Sequence, residues 1–228
     1  MSKLLPKHRF EEIKKAQRQA KLDKRRKIAV RNVSVSFLIV CEGERTEPNY
    51  FKALIKDRYS DIREVTIEGK GKGQGTVSLI KETMAIRNKS NKEFDRVWAV
   101  FDKDDFNDFN DAIRLAHKNH ILCAWSNESF ELWYYLHFQY LDTGISRAQY
   151  IEKIEREVQN KTNDTSYRYK KKSPETFDIL QRIGNESLAI KYAQRLRESF
   201  SGTDYASHKP CTTVYELVEE LTHPEKLL

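Results

Sequence analysis

FLIVCEGERTE, residues 37–47, and VWAVFDKDDF, residues 97–106, share one pattern. Each begins as a short apolar run of β-branched and aromatic residues and then stops in acid, the first at Glu42-Gly43-Glu44 and the second at Asp102-Lys103-Asp104-Asp105. Apolar runs of this length and composition read as strands buried on both faces, as in a parallel sheet. In an open α/β sheet, ligands bind outside the carboxyl ends of the strands. Two such strands therefore place their carboxylates around one crevice, and a cluster of that kind calls for a cation.

Outward from these runs, strands are expected at Val33–Cys41, Ile62–Glu68, Arg96–Phe101 and His120–Trp125. Between them lie helical patterns: one after Thr46 with Pro48 in its first turn, one over Val77–Asn88 and one over Asp108–Asn119. Strands alternating with helices predict an α/β fold, a small parallel sheet flanked by helices. The second strand empties into a glycine-rich loop, Gly69 to Gly75. A loop of this kind opening a helix can offer backbone N–H groups to phosphate, with Lys70 and Lys72 beside it, or serve as a plain connection. It lacks the GxxxxGK[ST] spacing of a P-loop.

SNESFELWYYLHFQY, residues 126–140, carries Phe130, Trp133, Tyr134, His137 and Phe138 at helical spacing and reads as core. His137, inside that stripe, reads as a hydrogen-bonded core histidine. Residues 142–212 form a helical elaboration of the same domain, which spans 32–228, with helices near 146–159, 174–183 and 186–199 and a basic segment, YRYKKK, at 167–172. Tyr167 and Tyr169 there read as partly buried, with base stacking the sharper alternative. A last amphipathic helix covers Thr212–Leu221.

Charge is uneven along the 228 residues. Residues 1–31 hold 12 Lys/Arg against 3 Asp/Glu, whereas the rest holds 29 against 31, so the formal charge of +7 resides in a basic N-terminal arm. That arm can contact phosphates. The three cysteines, Cys41, Cys123 and Cys211, show neither a disulfide framework nor zinc spacing. No apolar run approaches the roughly 18–20 residues that span a bilayer, and the charged start lacks a following apolar segment of the secretory type. A cytoplasmic protein without a membrane partner is expected.

Asp102 and Asp104 stand two apart, so on a continuing strand both project to one side while Lys103 points away. Carboxylates this close repel unless a cation lies between them or one stays protonated. Mg²⁺, or Mn²⁺ in its place, takes a few carboxylates together with water and phosphate oxygens, which suits the pair, and Glu42 offers a third oxygen or a general base.

Taken together, VCEGERTE, VFDKDDF, the FELWYYLHF element and HKPCTTVYELVEEL near the C-terminus resemble the RloB-like family over residues 34–222. The core of that family is similar to the Toprim fold. The resemblance implies that Glu42 matches the Toprim glutamate after the first strand and that Asp102 and Asp104 match its DxD, together binding Mg²⁺ for phosphodiester chemistry. It also implies that Glu131 belongs to a further motif at the edge of the site. Where the family usually has proline this chain has Glu128. Genes of the family resemble accessory components of restriction-modification and phage-defence loci.

The expectation is a Mg²⁺-dependent nuclease acting on DNA or RNA, in antiphage defence with a possible partner protein. Glu42, Asp102, Asp104 and Glu131 form its catalytic set, and Arg45, Lys70, Lys72, Arg168, Lys170 and Lys171 contact nucleic acid. The alternative is a Toprim-like subunit that binds nucleic acid or protein without turnover. A haloacid-dehalogenase phosphatase is disfavoured because its acids follow the first strand, not the third, and a topoisomerase because strand-passing domains are absent.

Overall fold

Side chains on a strand alternate between its two faces, and β1 (Phe37–Cys41) is buried on both. In the computed structural model, which describes residues 35–58, 65–69 and 75–227, Phe37, Ile39 and Cys41 enter one apolar cluster and Leu38 and Val40 another. Flanking strands β2 (Val65–Gly69), β3 (Arg96–Lys103) and β4 (Leu122–Asn127) complete a parallel sheet in the order β2-β1-β3-β4. The first cluster takes Tyr50, Phe51 and Leu54 from α1 (Thr46–Arg58), and the second takes Leu79 and Ile80 from α2 (Thr76–Lys89) and Ile113 from α3 (Phe109–Lys118). The result is a three-layer, Toprim-like α/β fold.

β3 runs two residues beyond its expected end at Phe101, because β4 also continues and pairs Asp102 with Ser126 and Lys103 with Asn127. This extension holds Asp102 on strand geometry. The helix expected across 126–140 is shorter, α4 (Glu131–Leu136), since Ser126 and Asn127 belong to β4 and Glu128 turns the chain at φ 83°. Beyond it lie α5 (Arg147–Thr162), α6 (Thr176–Ile183), α7 (Glu186–Glu198) and α8 (Val214–Thr222), matching the expected elaboration and last helix. Residues 167–172 form no helix; the Tyr169 amide donates to Glu155 Oε1 at 2.8 Å instead. The basic arm at 1–31, Ile62 and the glycine-loop residues Lys70 and Lys72 lie outside the described residues.

β4 is an edge strand, and the C-terminal motif covers it. Asn127 N donates to Cys211 O and Thr213 N to Trp125 O, both at 2.8 Å, around an antiparallel bridge between Ser126 and Thr212. Thr213 Oγ1 accepts from Trp125 N and donates to Cys123 O. An edge closed in this way offers no template for further pairing. At the opposite end of the sheet, Glu220 of α8 accepts hydrogen bonds from Arg96 and from Trp98 Nε1, tying that helix to β3. Among the described residues no helix is long and apolar enough to cross a membrane.

The aromatic stripe packs as expected. His137 is buried, sets its Nδ1 2.9 Å from Trp133 O and meets the Trp133 ring edge-on at 4.9 Å. Burial drives its pKa down to about 4, against the smaller opposing effect of the Trp133 carbonyl. The unfolded chain therefore takes up a proton below about pH 6.5 that the folded chain refuses until about pH 4. Across that window His137 costs the native state up to about 1.4 kcal/mol per pH unit as pH falls. Urea unfolding of wild type and His137→Gln should show the wild-type advantage at pH 7 shrinking on this slope between pH 6.5 and 4.

Candidate active site

The parallel register of β1 and β3 sets the acids side by side. Cys41 is level with Val100, and the Glu42 amide continues the ladder by donating to Val100 O at 2.8 Å. Glu42 then turns its carboxylate across the strand end, where Oε2 accepts from the Asp102 amide at 3.4 Å. The following turn packs tightly against the end of β2: a Cβ on Gly69 would lie 2.7 Å from Gly43 O and 2.8 Å from Glu44 Cα. Those are backbone atoms, so glycine at 69 is what lets β2 approach.

Glu42, Asp102 and Asp104 thereby line one cleft of about 400 Å³. Glu47, in the first turn of α1, joins them with its side chain buried, and Glu131, at the start of α4, is buried and accepts from Tyr169 Oη at 3.1 Å. Glu131 thus belongs to the buried acid group rather than to the cleft lining. The electrostatics follow from this crowding. Burial, then Asp104, raise Glu42 to about 7; burial, then Glu47 and Glu131, hold Asp102 well above the ordinary carboxylate range; burial likewise raises Glu47.

A cation answers them. Arg147, the first residue of α5, sets Nη2 3.4 Å from Asp102 Oδ2 and 3.2 Å from Asp104 Oδ1. Desolvation works against the guanidinium's charge, but Asp102 and Asp104 outweigh it and its pKa is raised. The group is held in place from behind. Ser146 and Gln149 form a reciprocal capping box at the start of α5, the Arg147 amide donates to Glu128 Oε1 at 3.1 Å, and Nη2 also reaches Glu128 O. Glu128 Oε2 in turn pairs with Lys209 at 2.5 Å. This gives Glu128 a role, and its φ of 83° is closed to proline.

The rim of the cleft carries three cations beside one exposed acid, Glu44. Arg45, Lys171 and Lys172 line it, and Asn49 Nδ2 of α1 fixes their loop by donating to Lys172 O at 3.0 Å. Arg168 and Lys170 are exposed and stand outside the lining, Arg168 donating to Thr165 O and Tyr167 O. Buried Tyr169 is spent on Glu131, and His208 stacks on Phe200 at 4.9 Å and is not part of the lining of this cleft. The N-terminus of α2, considered as a phosphate seat, holds the Asp108 carboxylate, which accepts from Thr76 N at 3.2 Å and Val77 N at 2.9 Å.

Whether these groups suit a divalent cation can be judged from their oxygens. Asp102 Oδ1 and Glu47 Oε2 are buried with no hydrogen-bond partner among the described residues, and an all-carboxylate donor set suits a hard cation that completes its shell with water and phosphate. Among the described residues no three Asp, Glu, His or Cys side chains form a ready metal cage; Arg147 bridges the aspartates instead. The pair and its neighbours fit Mg²⁺ as a site of one or two carboxylates, not as a closed protein cage.

Fold and site together define an α/β protein of Toprim-like architecture with an acidic crevice at its strand ends. The chain belongs to the RloB-like protein family, whose model matches residues 37–221. Neither the curated proteins nor the solved structures offer a significant match.

If Arg147 is the counter-charge of the aspartates, Arg147→Gln should destabilise the protein by about 1–3 kcal/mol, less than a fully buried pair would lose, since the arginine is 36% exposed. Added Mn²⁺ should then raise the melting temperature of the variant more than that of wild type, which differential scanning fluorimetry reads directly.

Proposed function

We propose that this cleft is the active site of a Mg²⁺- or Mn²⁺-dependent nuclease acting on DNA or RNA phosphodiesters. The observation that supports this best is the pairing of two chemistries in one cleft: Glu42, Asp102 and Asp104 on its floor, and Arg45, Arg147, Lys171 and Lys172 around them. Acids alone would repel a nucleic acid, and cations alone would bind one without the means to activate water.

A divalent cation bound here supplies Lewis acidity at a phosphate oxygen and a water of lowered pKa. Asp102 and Asp104, on one side of the end of β3, are the residues that would hold it, with Glu42 as the third oxygen. Lys171 and Lys172 draw the phosphate backbone in and orient it. Arg147 reaches both aspartates and can turn its guanidinium to the phosphate once they have a better partner, stabilising the charge that grows on the oxygens during hydrolysis. A role in antiphage defence beside a restriction-modification system, with a partner protein in the cytoplasm, rests on family membership.

One observation favours a second reading, a subunit that binds nucleic acid or protein without turnover: Arg147 already neutralises the two aspartates. Cleavage of labelled single-stranded DNA, duplex DNA and tRNA in Mg²⁺ or Mn²⁺ separates the two. Asp102→Asn/Asp104→Asn should lower metal-dependent cutting by about a hundred-fold or more, while a protein that cuts nothing in either form is a binding subunit or an enzyme that needs its partner protein. Cutting retained in the variant would remove these aspartates from the mechanism.

A further inference from the structure

Phe106 stands out because its surroundings oppose it. It is the one large apolar side chain left exposed among the described residues, at 42%, in the sequence Asp104-Asp105-Phe106-Asn107-Asp108. Single exposed apolar residues are ordinary, but this one follows directly on the acids of the cleft. Both ends of its loop are fixed. Asp104 is tied to Arg147 and its carbonyl accepts from Lys103 Nζ, while the Asp108 carboxylate is clamped on the first amides of α2. A Cβ on Gly75, at φ 110°, would come 2.7 Å from Asp108 Oδ2, so that clamp depends on glycine. The ring is thus presented on an anchored loop.

A second cleft, of about 390 Å³, adjoins the first and shares Asp104 and Arg147 with it. Its charges balance: Lys103, Arg147 and Lys209 face Asp104, Asp105 and Glu128. A balanced polar cleft has no net pull on phosphate, whereas the first offers Arg45, Lys171 and Lys172 beside acids that a cation can bridge to phosphate. It suits the other half of a nucleotide, the neutral base with its hydrogen-bonding edge.

We infer that Phe106 is a stacking platform for the base next to the phosphate seated at Asp104 and Arg147, which makes the substrate an unpaired, single-stranded polynucleotide. This rests on the nuclease reading of the adjoining cleft. A base inside a duplex has both faces covered by its neighbours, whereas a single strand can lay one face on an exposed ring, a contact that tolerates any sequence. The chain then runs from Lys171 and Lys172, over the aspartates, to Phe106 and the second cleft.

Fluorescence anisotropy of the full chain in Ca²⁺ tests this, with a labelled single-stranded 12-mer, the same backbone carrying abasic sites, and the corresponding duplex. The wild type should bind the base-bearing strand about ten-fold tighter than the abasic one, and also tighter than the duplex. Phe106→Ala should bring the base-bearing-to-abasic ratio below about two, and Phe106→Trp should keep it, with indole fluorescence quenched by the base-bearing strand only. A ratio unchanged in Phe106→Ala overturns the platform and leaves the nuclease reading standing; a ring that docks a protein instead would give that result. Duplex bound as tightly as single strand also overturns it. Binding of no polynucleotide by the wild type overturns the nuclease reading and this inference together.

Discussion

Carboxylates brought together out of water must be neutralised, by protons or by cations, or the strands that carry them move apart. Here the chain commits to bringing them together. The ladder between β1 and β3 fixes Glu42 beside Asp102, and the pairing of β3 with β4 keeps Asp102 on the strand. Glu47 and Glu131 then close in from two helices. Burial first, and then the crowding of these acids, raises the pKa of Glu42, Asp102 and Glu47, and the charge of Asp102 and Asp104 holds the Arg147 guanidinium protonated against its own desolvation.

The sequence made the acidic half of this arrangement legible and left the basic half hidden. Strands that end in acid can be read because the apolar run and the carboxylate are neighbours in the chain, and the two-residue period sends Asp102 and Asp104 to one side. Arg147 has no such signal. It lies 45 residues beyond Asp102 and reaches it through tertiary packing alone. The one clue was the Ser146/Gln149 capping box, which marks a helix start but does not say what the helix start faces. Glu47 lay in full view in the first acidic stretch, yet an acid in the first turn of a helix is common for reasons of dipole alone. In the YRYKKK segment the reading of partly buried tyrosines holds and the stacking alternative falls for Tyr169, which is a buried donor to Glu131. The ring left open is Phe106, whose neighbours in sequence gave it the look of part of an acidic turn.

On the proposed reading a cation and an arginine would serve one site. Both answer the same charge, but they differ in reach. Arg147 satisfies Asp102 Oδ2 and Asp104 Oδ1 at 3.4 and 3.2 Å and leaves Asp102 Oδ1 unpartnered. A small hard ion bonds carboxylates at about 2.0–2.1 Å and keeps open positions for water and phosphate. On the proposed reading such an ion would be held by Asp102 and Asp104 in place of the guanidinium, and Arg147 would stay tethered by its own amide to Glu128.

Glu128 is where this local balance meets the rest of the fold. Its carboxylate holds the Arg147 amide on one side and Lys209 on the other, and Lys209 lies two residues before the segment that seals the edge of β4. The C-terminal segment thus has two tasks that the sequence presents as one continuous string. Its threonines complete the sheet, and its lysine braces the turn that aims the arginine. With a proline at 128 the carboxylate brace would be lost and the positive φ forbidden, so a chain with that residue must support the start of α5 in some other way. Glu128 sets the mounting of the counter-charge, while Glu42 and Asp102 are held by the strand pairing of β1, β3 and β4.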